Sequence, residues 1–371
     1  GIMDSSLLYK IALSIVPGVG CITAKRLISA MGEPEAIFNQ TSKSLRAIPG
    51  IRSYVVDNIL SSQVLDKAKR ELEFIDKYKI QVYYYKDKGF PSRLKHCEDA
   101  PIVLYVKGSV DFSFPKIVSI VGTRSATSYG KSLCEKLVAD LAERKHNPLV
   151  VSGLAYGIDI TAHKAALKNE LQTVAVLGHG LKNLYPSVHK NTAQKIINQG
   201  ALVTDFISDE PIDRMNFVKR NRIIAGMADA TIVVESGIKG GALITAELAN
   251  SYNRDVFAFP GKIHDSHSQG CNRLIKSNKA ALIESVEDLE YIMGWTPPDK
   301  RKEPVQQKLF HELSEAESQV YNLINEHKEL PVDAIAHFAE LPVSRVSPIL
   351  LNLEFAGLIK SLPGKMYRLN L

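Results

Sequence analysis

Short apolar runs alternate with helix-like stretches through the middle of the chain. Six runs rich in β-branched residues predict strands at 117–121, 149–152, 173–177, 201–205, 231–234 and 256–259. Between them, apolar residues recur at helical spacing in 130–144, 158–167, 188–199, 216–227 and 242–250. Nearly continuous apolar strands that alternate with helices are typical of a parallel sheet covered on both faces. The pattern therefore predicts an α/β fold with a Rossmann-like, doubly wound and mostly parallel sheet.

Helical patterns flank this region on both sides. Two similar turns, Pro17-Gly18-Val19-Gly20 and Pro49-Gly50-Ile51-Arg52, each precede a helix-like stretch. They fit a helix-hairpin-helix, whose N–H groups can face a phosphate, and they also fit a small helical bundle. Near the other end, helical spacing at 315–326, 331–339 and 346–356 precedes a hairpin around Pro363-Gly364-Lys365. That order is typical of a winged helix.

These patterns divide the chain of 371 residues into three predicted domains and a linker. Residues 3–75 are predicted to form a helical domain of the SAM-like or helix-hairpin-helix type. Residues 80–295 are predicted to form an extended Rossmann-like domain. The charged, proline-rich segment 296–308 reads as a linker, and residues 309–371 form the predicted winged-helix domain.

Composition narrows the classes of protein. A formal net charge of +6 permits an anionic partner without requiring one. No two of the four cysteines have a metal-ligand or redox spacing, which favours reduced thiols in a cytoplasmic protein. No apolar run approaches the roughly 18 residues that span a bilayer, so we expect no membrane association.

Glycines and cations follow the predicted strands, where ligands of open α/β sheets bind. After the first strand, Gly122 lets the backbone approach a phosphate, Thr123 and Ser125 offer hydroxyls, and Arg124 offers a planar donor fork. A solvated arginine beside a structural glycine turn is the alternative. The further candidates at strand ends are Ser152, Gly153, Lys239, Gly240, Gly241, Lys262 and Asn272.

A cationic run lies in the helix predicted after the fourth strand. It contains the candidate DNA-binding residues Phe217, Lys219, Arg220, Asn221 and Arg222. Cations neutralise phosphates, while an aromatic ring or a guanidinium plane stacks on a base. On a helix, Lys219 and Arg222 share one face. Because the apolar pair Ile223-Ile224 follows directly, we expect the run at the rim of the sheet, although such runs are often merely solvated.

Catalytic groups are not evident. His163 fits the role of a base, but helix packing or capping explains it better, and His179 fits either a ligand contact or a solvated loop residue. We find no Ser-His-Asp arrangement, no metal-binding cluster and no paired acid and base. The sequence therefore predicts a protein without catalytic residues, metal or cofactor.

The motifs together resemble the DNA-processing protein A (DprA, also called Smf) family over residues 85–285. The resemblance rests on 120–130, 152–159 with Ala162-His163, 175–180 with Tyr185-Pro186, 216–224, 245–249 and 260–275. It implies a homodimer, formed through the Rossmann-like domain, that binds and protects incoming single-stranded DNA in natural transformation and helps to load the recombinase RecA. DNA contacts would then fall on Arg124, Lys219, Arg220 and Arg222.

Two other functions fit parts of the sequence. Gly240-Gly241 with Glu247 resembles the glycine loop of phosphoribohydrolases, which process nucleotides, but the proline, third glycine and threonine of that loop are missing. A transcription regulator would sense a nucleotide in the core and read DNA with the winged helix. Only Arg345 lies near the third helix of that module, which argues against duplex reading and leaves protein interaction open for 305–371.

Overall fold

The computed structural model describes residues 5–297 and 313–370. The chain divides into two compact units. The first contains residues up to 283 except 144–146, and the second contains 144–146 together with the residues from 284 onward. Apart from residues 296 and 297, the predicted linker 296–308 lies outside the described residues.

The described part of the first unit opens with helices. They are α1 (Ser5–Ile15), α2 (Cys21–Met31), α3 (Pro34–Phe38), α4 (Ser42–Arg46), α5 (Ser53–Leu60) and α6 (Ser62–Tyr78). Both glycine turns found in the sequence join helices, with φ of 84° at Gly18 and 79° at Gly50. A Cβ atom on Gly18 would lie 2.6 Å from the ring of Tyr54, and one on Gly50 would lie 3.0 Å from Arg26. The two helical hairpins therefore pack against each other.

A nine-stranded sheet forms the centre of the first unit. Its strands are β1 (Gln81–Tyr84), β2 (Val103–Gly108), β3 (Ile117–Val121), β4 (Leu149–Ser152), β5 (Thr173–Val176), β6 (Gly200–Thr204), β7 (Ala230–Val233), β8 (Asp255–Ala258) and β9 (Ala281–Leu282). The spatial order is β1-β2-β6-β5-β4-β3-β7-β8-β9. Strands β3 to β9 are parallel to one another, whereas β2 pairs antiparallel with both of its neighbours, β1 and β6. The mostly parallel, doubly wound fold is confirmed.

Helices connect the strands of this sheet. They are α7 (Ser92–Lys95), α8 (Ser128–Glu143), α9 (Ile158–Lys168), α10 (Lys190–Gln199), α11 (Arg214–Gly226), α12 (Gly241–Ser251) and α13 (Gln269–Lys276), with a 3-10 turn at Ser187–His189. The six predicted strands and five predicted helices lie within about two residues of these bounds. Strands β1, β2 and β9 were not predicted.

The helical segment and the sheet share a core. Side chains from α1 to α6 pack against Tyr84, Tyr105 and Ile207, which belong to β1, β2 and the loop after β6. The buried carboxylate of Glu71 on α6 accepts hydrogen bonds from the backbone N–H and the hydroxyl of Ser208, at 3.0 and 2.6 Å. The boundary predicted at residue 75 therefore separates two sequence patterns but not two compact units.

The second unit contains α14 (Val286–Met293) and the predicted winged helix. The winged helix comprises α15 (Glu315–His327), β10 (Glu329–Pro331), α16 (Val332–Ala339), α17 (Val343–Phe355), β11 (Ile359–Leu362) and β12 (Met366–Leu369). Its antiparallel sheet has the order β10-β12-β11. Apolar residues of α15, α16 and α17 form a core of their own, which confirms the module.

Candidate functional site

A cleft of about 660 Å³ opens at the carboxyl edge of the sheet, beside the ends of β3 and β7. These strands are neighbours, yet the chain leaves them toward opposite sides of the sheet, to β4 and to β8. Crevices at such reversals are the usual ligand sites of doubly wound folds. The polar and glycine residues of its lining are Gly122, Thr123, Arg124, Asp159, Arg214, Arg220, Asn221, Ser236, Gly237, Lys239, Gly240, Gly241 and Thr245.

The turn after β3 forms one wall of the cleft. The N–H of Thr123 donates to the carbonyl of Glu235 at 2.7 Å, and the N–H of Ile158 donates to the carbonyl of Thr123 at 3.1 Å. A Cβ on Gly122 would lie 2.4 Å from Ile158, so this position requires glycine. Arg124 and Ser125 follow the fixed turn with exposed side chains, as a phosphate contact requires.

Beneath this wall lies a buried carboxylate. Glu235 is almost fully buried and accepts hydrogen bonds from the N–H and the hydroxyl of Thr127, at 2.8 and 2.5 Å. Thr127 directly precedes α8, where a negative charge is stabilised by the N-terminal end of the helix. Glu235 therefore fixes the start of α8 relative to β7.

Arg220 is buried behind the cleft. Its guanidinium donates to the carbonyl oxygens of Gly153 and Val176, at 2.8 and 2.7 Å. Burial lowers the pKa of Arg220 to about 10, although the nearby carboxylate of Asp159 acts in the opposite direction. The same burial raises the pKa of Asp159, whose oxygen accepts from the N–H of Gly153 at 3.1 Å. Arg220 thus orders the turns around the cleft.

Two other predicted contact residues are buried with it. A Cβ on Gly153 would lie 2.7 Å from Arg220 and 2.8 Å from Asp159, so only glycine fits between these two groups. The hydroxyl of Ser152 donates to the carbonyl of Ile120 at 2.6 Å and is fully buried. Both residues therefore support the cleft from below rather than exposing a side chain to a ligand.

The cationic run on α11 divides between two faces. Phe217 and Asn221 line the cleft with Arg220. Lys219 is exposed and lines a different depression, of about 390 Å³, next to α1 and α2. The guanidinium of Arg222 is bound to Asp205 at 2.7 Å and donates to the carbonyl of Asp99 at 2.9 Å. Burial lowers the pKa of Arg222, whereas the carboxylate of Asp205 raises it. The net effect is a raised pKa.

The run is therefore not one continuous patch. Lys219 and Arg222 share a face, as helical spacing predicts, but that face is turned toward the N-terminal helices. Arg214, which sequence reasoning missed, opens into the cleft from the first turn of α11. The sequence contains a pattern that could have identified Arg214: it follows Asp213, the N-cap of α11, and it stands three residues before Phe217.

Aromatic side chains stand beside the cleft. The ring of Phe217 lies edge-on to that of Tyr185, with centroids 5.6 Å apart. Tyr185 is 45% exposed, so part of its side chain is accessible beside the cleft. The sequence marked this tyrosine only as part of a motif, because its distance from Phe217 along the chain hides their contact.

The start of α12 forms the opposite wall of the cleft. Gly240 is the N-cap of this helix and Gly241 its first residue, and the exposed Lys239 precedes them. Lys262 is exposed on the loop after β8 but is not among the described residues that line the cleft. Asn272, also outside that lining, holds Gly261 through hydrogen bonds of 3.1 and 3.0 Å and so fixes this loop.

Both histidines near the site have neutral, structural rings. The Thr173 hydroxyl donates to the carbonyl of Val150, so it accepts from Nδ1–H of His163, while Nε2 accepts from the N–H of Leu154. Burial lowers the pKa of His163 to about 3. His179 is bound alike, between the carbonyl of Gly180 and the N–H of Tyr185. Helix packing therefore explains His163, and His179 orders the loop that carries Tyr185.

Two other features are absent from the described ranges. Residues 5–297 and 313–370 contain no group of three or more His, Cys, Asp or Glu side chains that could hold a metal ion. No helix in these ranges is long and apolar enough to cross a membrane.

The fold and the cleft define a class of protein: a Rossmann-like protein with a glycine-lined, cationic cleft at the reversal of its strand order. Within this class, the chain belongs to the DprA/Smf family. Residues 81–293 match the family model of DNA recombination-mediator protein A, and residues 304–365 match that of the DprA winged helix domain. The resemblance predicted from the motifs is confirmed.

Proteins with similar sequences match most of the chain. Protein Smf of Synechocystis sp. is 31% identical over 397 residues, which is 98% of this chain and 99% of the relative. The putative DNA processing protein DprA of Mycobacterium tuberculosis is 37% identical over 279 residues, covering 75% of this chain and 71% of the relative.

Solved structures of family members are also similar. DNA processing protein A of Streptococcus pneumoniae has a TM-score of 0.64 and 32% identity, covering 77% of this chain and 97% of that chain. DNA processing protein A of Helicobacter pylori, studied for its unique single-stranded DNA binding mode, has a TM-score of 0.52 and 26% identity, covering 57% and 94%.

The different surroundings of Arg222 and Lys219 on α11 predict different effects of their substitution on stability. Arg222→Ala removes the partner of the nearly buried Asp205, so we expect the free energy of unfolding to fall by about 3 kcal/mol. Lys219→Ala removes an exposed charge from the same helix, and we expect a change within about 0.5 kcal/mol. Urea unfolding of both variants measures this difference. Equal stability of the two variants would contradict the pairing of Arg222.

His163 predicts a pH dependence of stability. Because its folded pKa is about 3, against an ordinary value of 6.5, acid protonates this residue in the unfolded chain first. Stability is therefore lost as pH falls below 6.5, by about 1.4 kcal/mol at pH 5.5. We expect His163→Gln to lack this part of the loss when urea unfolding is compared at pH 7.5 and 5.5. The exposed-residue control His264→Gln should retain the wild-type difference, and an unchanged loss in His163→Gln would refute the neutral ring.

Proposed function

We propose that the protein is a single-stranded DNA-binding recombination mediator that holds the strand in the cleft. The observation that carries this proposal is the position of three cations around one glycine-lined cleft. Arg124, Arg214 and Lys239 are exposed at its wall, and the carboxylate that lines it, Asp159, is buried behind them. Exposed cations in a groove neutralise backbone phosphates, whereas the buried Arg220 orders the turns.

The backbone supports the same assignment. Gly240 and Gly241 open α12 toward the cleft, where the free N–H groups of the first turn attract an anion. A DNA single strand also needs a surface on which its bases can stack. Tyr185 and Phe217 supply aromatic rings for this close to the cations. Stacking tolerates every base, so this arrangement suits binding without sequence preference.

Kinship supports the choice of ligand. The chain belongs to a family named for DNA processing and recombination mediation, and the relative from H. pylori binds single-stranded DNA. We extend the proposal to the protection of incoming DNA in natural transformation, to loading of RecA, and to a cytoplasmic homodimer formed through the Rossmann-like unit. We also propose that the protein acts by binding alone and is not an enzyme.

Binding to labelled oligo-dT tests the cleft. We expect the wild type to bind with strong salt dependence, because phosphate neutralisation releases counterions. Arg124→Ala with Lys239→Ala should lose at least about tenfold in affinity, and its logarithmic salt slope should flatten by about 1.4. The measurement is fluorescence anisotropy at two salt concentrations, with thermal unfolding to verify that the variant is folded.

A matched variant controls for net charge. Lys69→Ala with Lys195→Ala removes two exposed cations on α6 and α10, away from the cleft, and should bind within about twofold of the wild type. Equal losses in both double variants would refute the cleft as the binding site. Turnover of a free nucleotide by the wild type would favour a phosphoribohydrolase-type enzyme instead.

A further inference from the structure

A second depression, of about 850 Å³, lies between α8 and α9 and shares Arg124 with the cleft. We call it the α8–α9 groove. Its charged lining residues are Arg124, Lys131, Glu135, Lys136, Lys164 and Lys168. Cations therefore outnumber carboxylates by five to one along a surface that begins at the wall of the cleft.

The lysines of α9 are not explained by the stability of the fold. Lys164 and Lys168 are exposed and stand four residues apart, where like charges weaken a helix. Neither forms an ion pair with any residue in the described ranges, and Lys131 across the groove is also without one there. Lys136 differs, because it is bound to Asp140 at 2.9 Å. Three lysines that form no ion pair in the described ranges thus line the groove from two helices.

The shape of the groove suits an extended polyanion. Its lining includes the small residues Ser132, Ala139 and Ala165, which leave room between the helices. Tyr156 lies beside Arg124 in this lining, is 45% exposed and packs edge-on against His189, with centroids 5.2 Å apart. A tyrosine held in place by His189 therefore exposes part of its side chain in the groove, where aromatic rings of proteins stack on bases.

We propose that a DNA single strand leaves the cleft past Arg124 and continues along the α8–α9 groove. Lys131, Lys164 and Lys168 neutralise its phosphates, and Tyr156 stacks on one of its bases. Helix α9 has 11 residues and is about 16 Å long, so the groove lengthens the binding site by a few nucleotides. This inference rests on the proposed function. It favours a nucleic acid over an acidic protein because the groove is continuous with the cleft and has an aromatic ring at the junction.

Oligonucleotides of two lengths distinguish binding in the α8–α9 groove from binding in the cleft. We compare oligo-dT of about six nucleotides, which the cleft alone accommodates, with oligo-dT of about 20 nucleotides. Lys164→Glu with Lys168→Glu should weaken binding of the long oligonucleotide about tenfold and flatten its salt slope by about 1.4, while binding of the short one stays within about twofold. Tyr156→Leu, which retains apolar packing, should also weaken only the long complex.

The controls make each outcome decisive. Lys69→Glu with Lys195→Glu introduces the same charge change elsewhere and should leave both lengths near wild type. Lys164→Gln with Lys168→Gln, checked by thermal unfolding, should show a smaller loss of the same length dependence. Wild-type affinity of the groove variant for both lengths, or equal losses for both, overturns the inference but leaves the cleft intact. If the wild type binds neither oligonucleotide, the proposed function itself fails.

Discussion

One buried cation connects the parts of the chain that form the carboxyl edge of the sheet. Arg220 on α11 donates to the carbonyl of Gly153 after β4 and to that of Val176 at the end of β5. Desolvating a cation is costly unless hydrogen bonds and an opposite charge compensate. The carbonyls and the carboxylate of Asp159 provide that compensation. The guanidinium therefore sets the spacing between α11 and two strand ends, on which the shape of the cleft depends.

Much of the fold could be predicted because its signals are local. The apolar runs of β3 and β4 are fully buried, and the predicted bounds of both strands match the structure. Strand β2 carries a comparable buried apolar run from Val103 to Val106, which the prediction overlooked, whereas β1 at the end of the sheet is mostly only partly buried and lacks that signal. Their antiparallel pairing, in which β2 lies between β1 and β6, depends on contacts distant in sequence that periodicity along the chain cannot reveal.

The sequence predicted which residues lie at the candidate site better than it predicted the contacts that each of them makes. Arg124 and Lys239 were identified from strand-end positions, and the structure exposes both beside one cleft. Helical spacing also paired Lys219 with Arg222. It could not show that Asp99 and Asp205 engage Arg222, because those partners come from other elements. The sequence predicted that Gly153 belongs to a phosphate-binding turn. In the structure this position requires glycine because Arg220 and Asp159 approach it closely.

The paired N-terminal hairpins have an approximate internal symmetry. Arg26 and Asn58 each stand eight residues after the glycine of their own turn. Asn58 donates to the carbonyl of Pro17 in the first turn at 2.9 Å, and Arg26 lies beside Gly50 in the second. Each hairpin thus closes the turn of the other. Because each hairpin contacts the turn of the other, a substitution in one hairpin also changes the surroundings of the other hairpin's turn, and the two turns depend on each other for their packing.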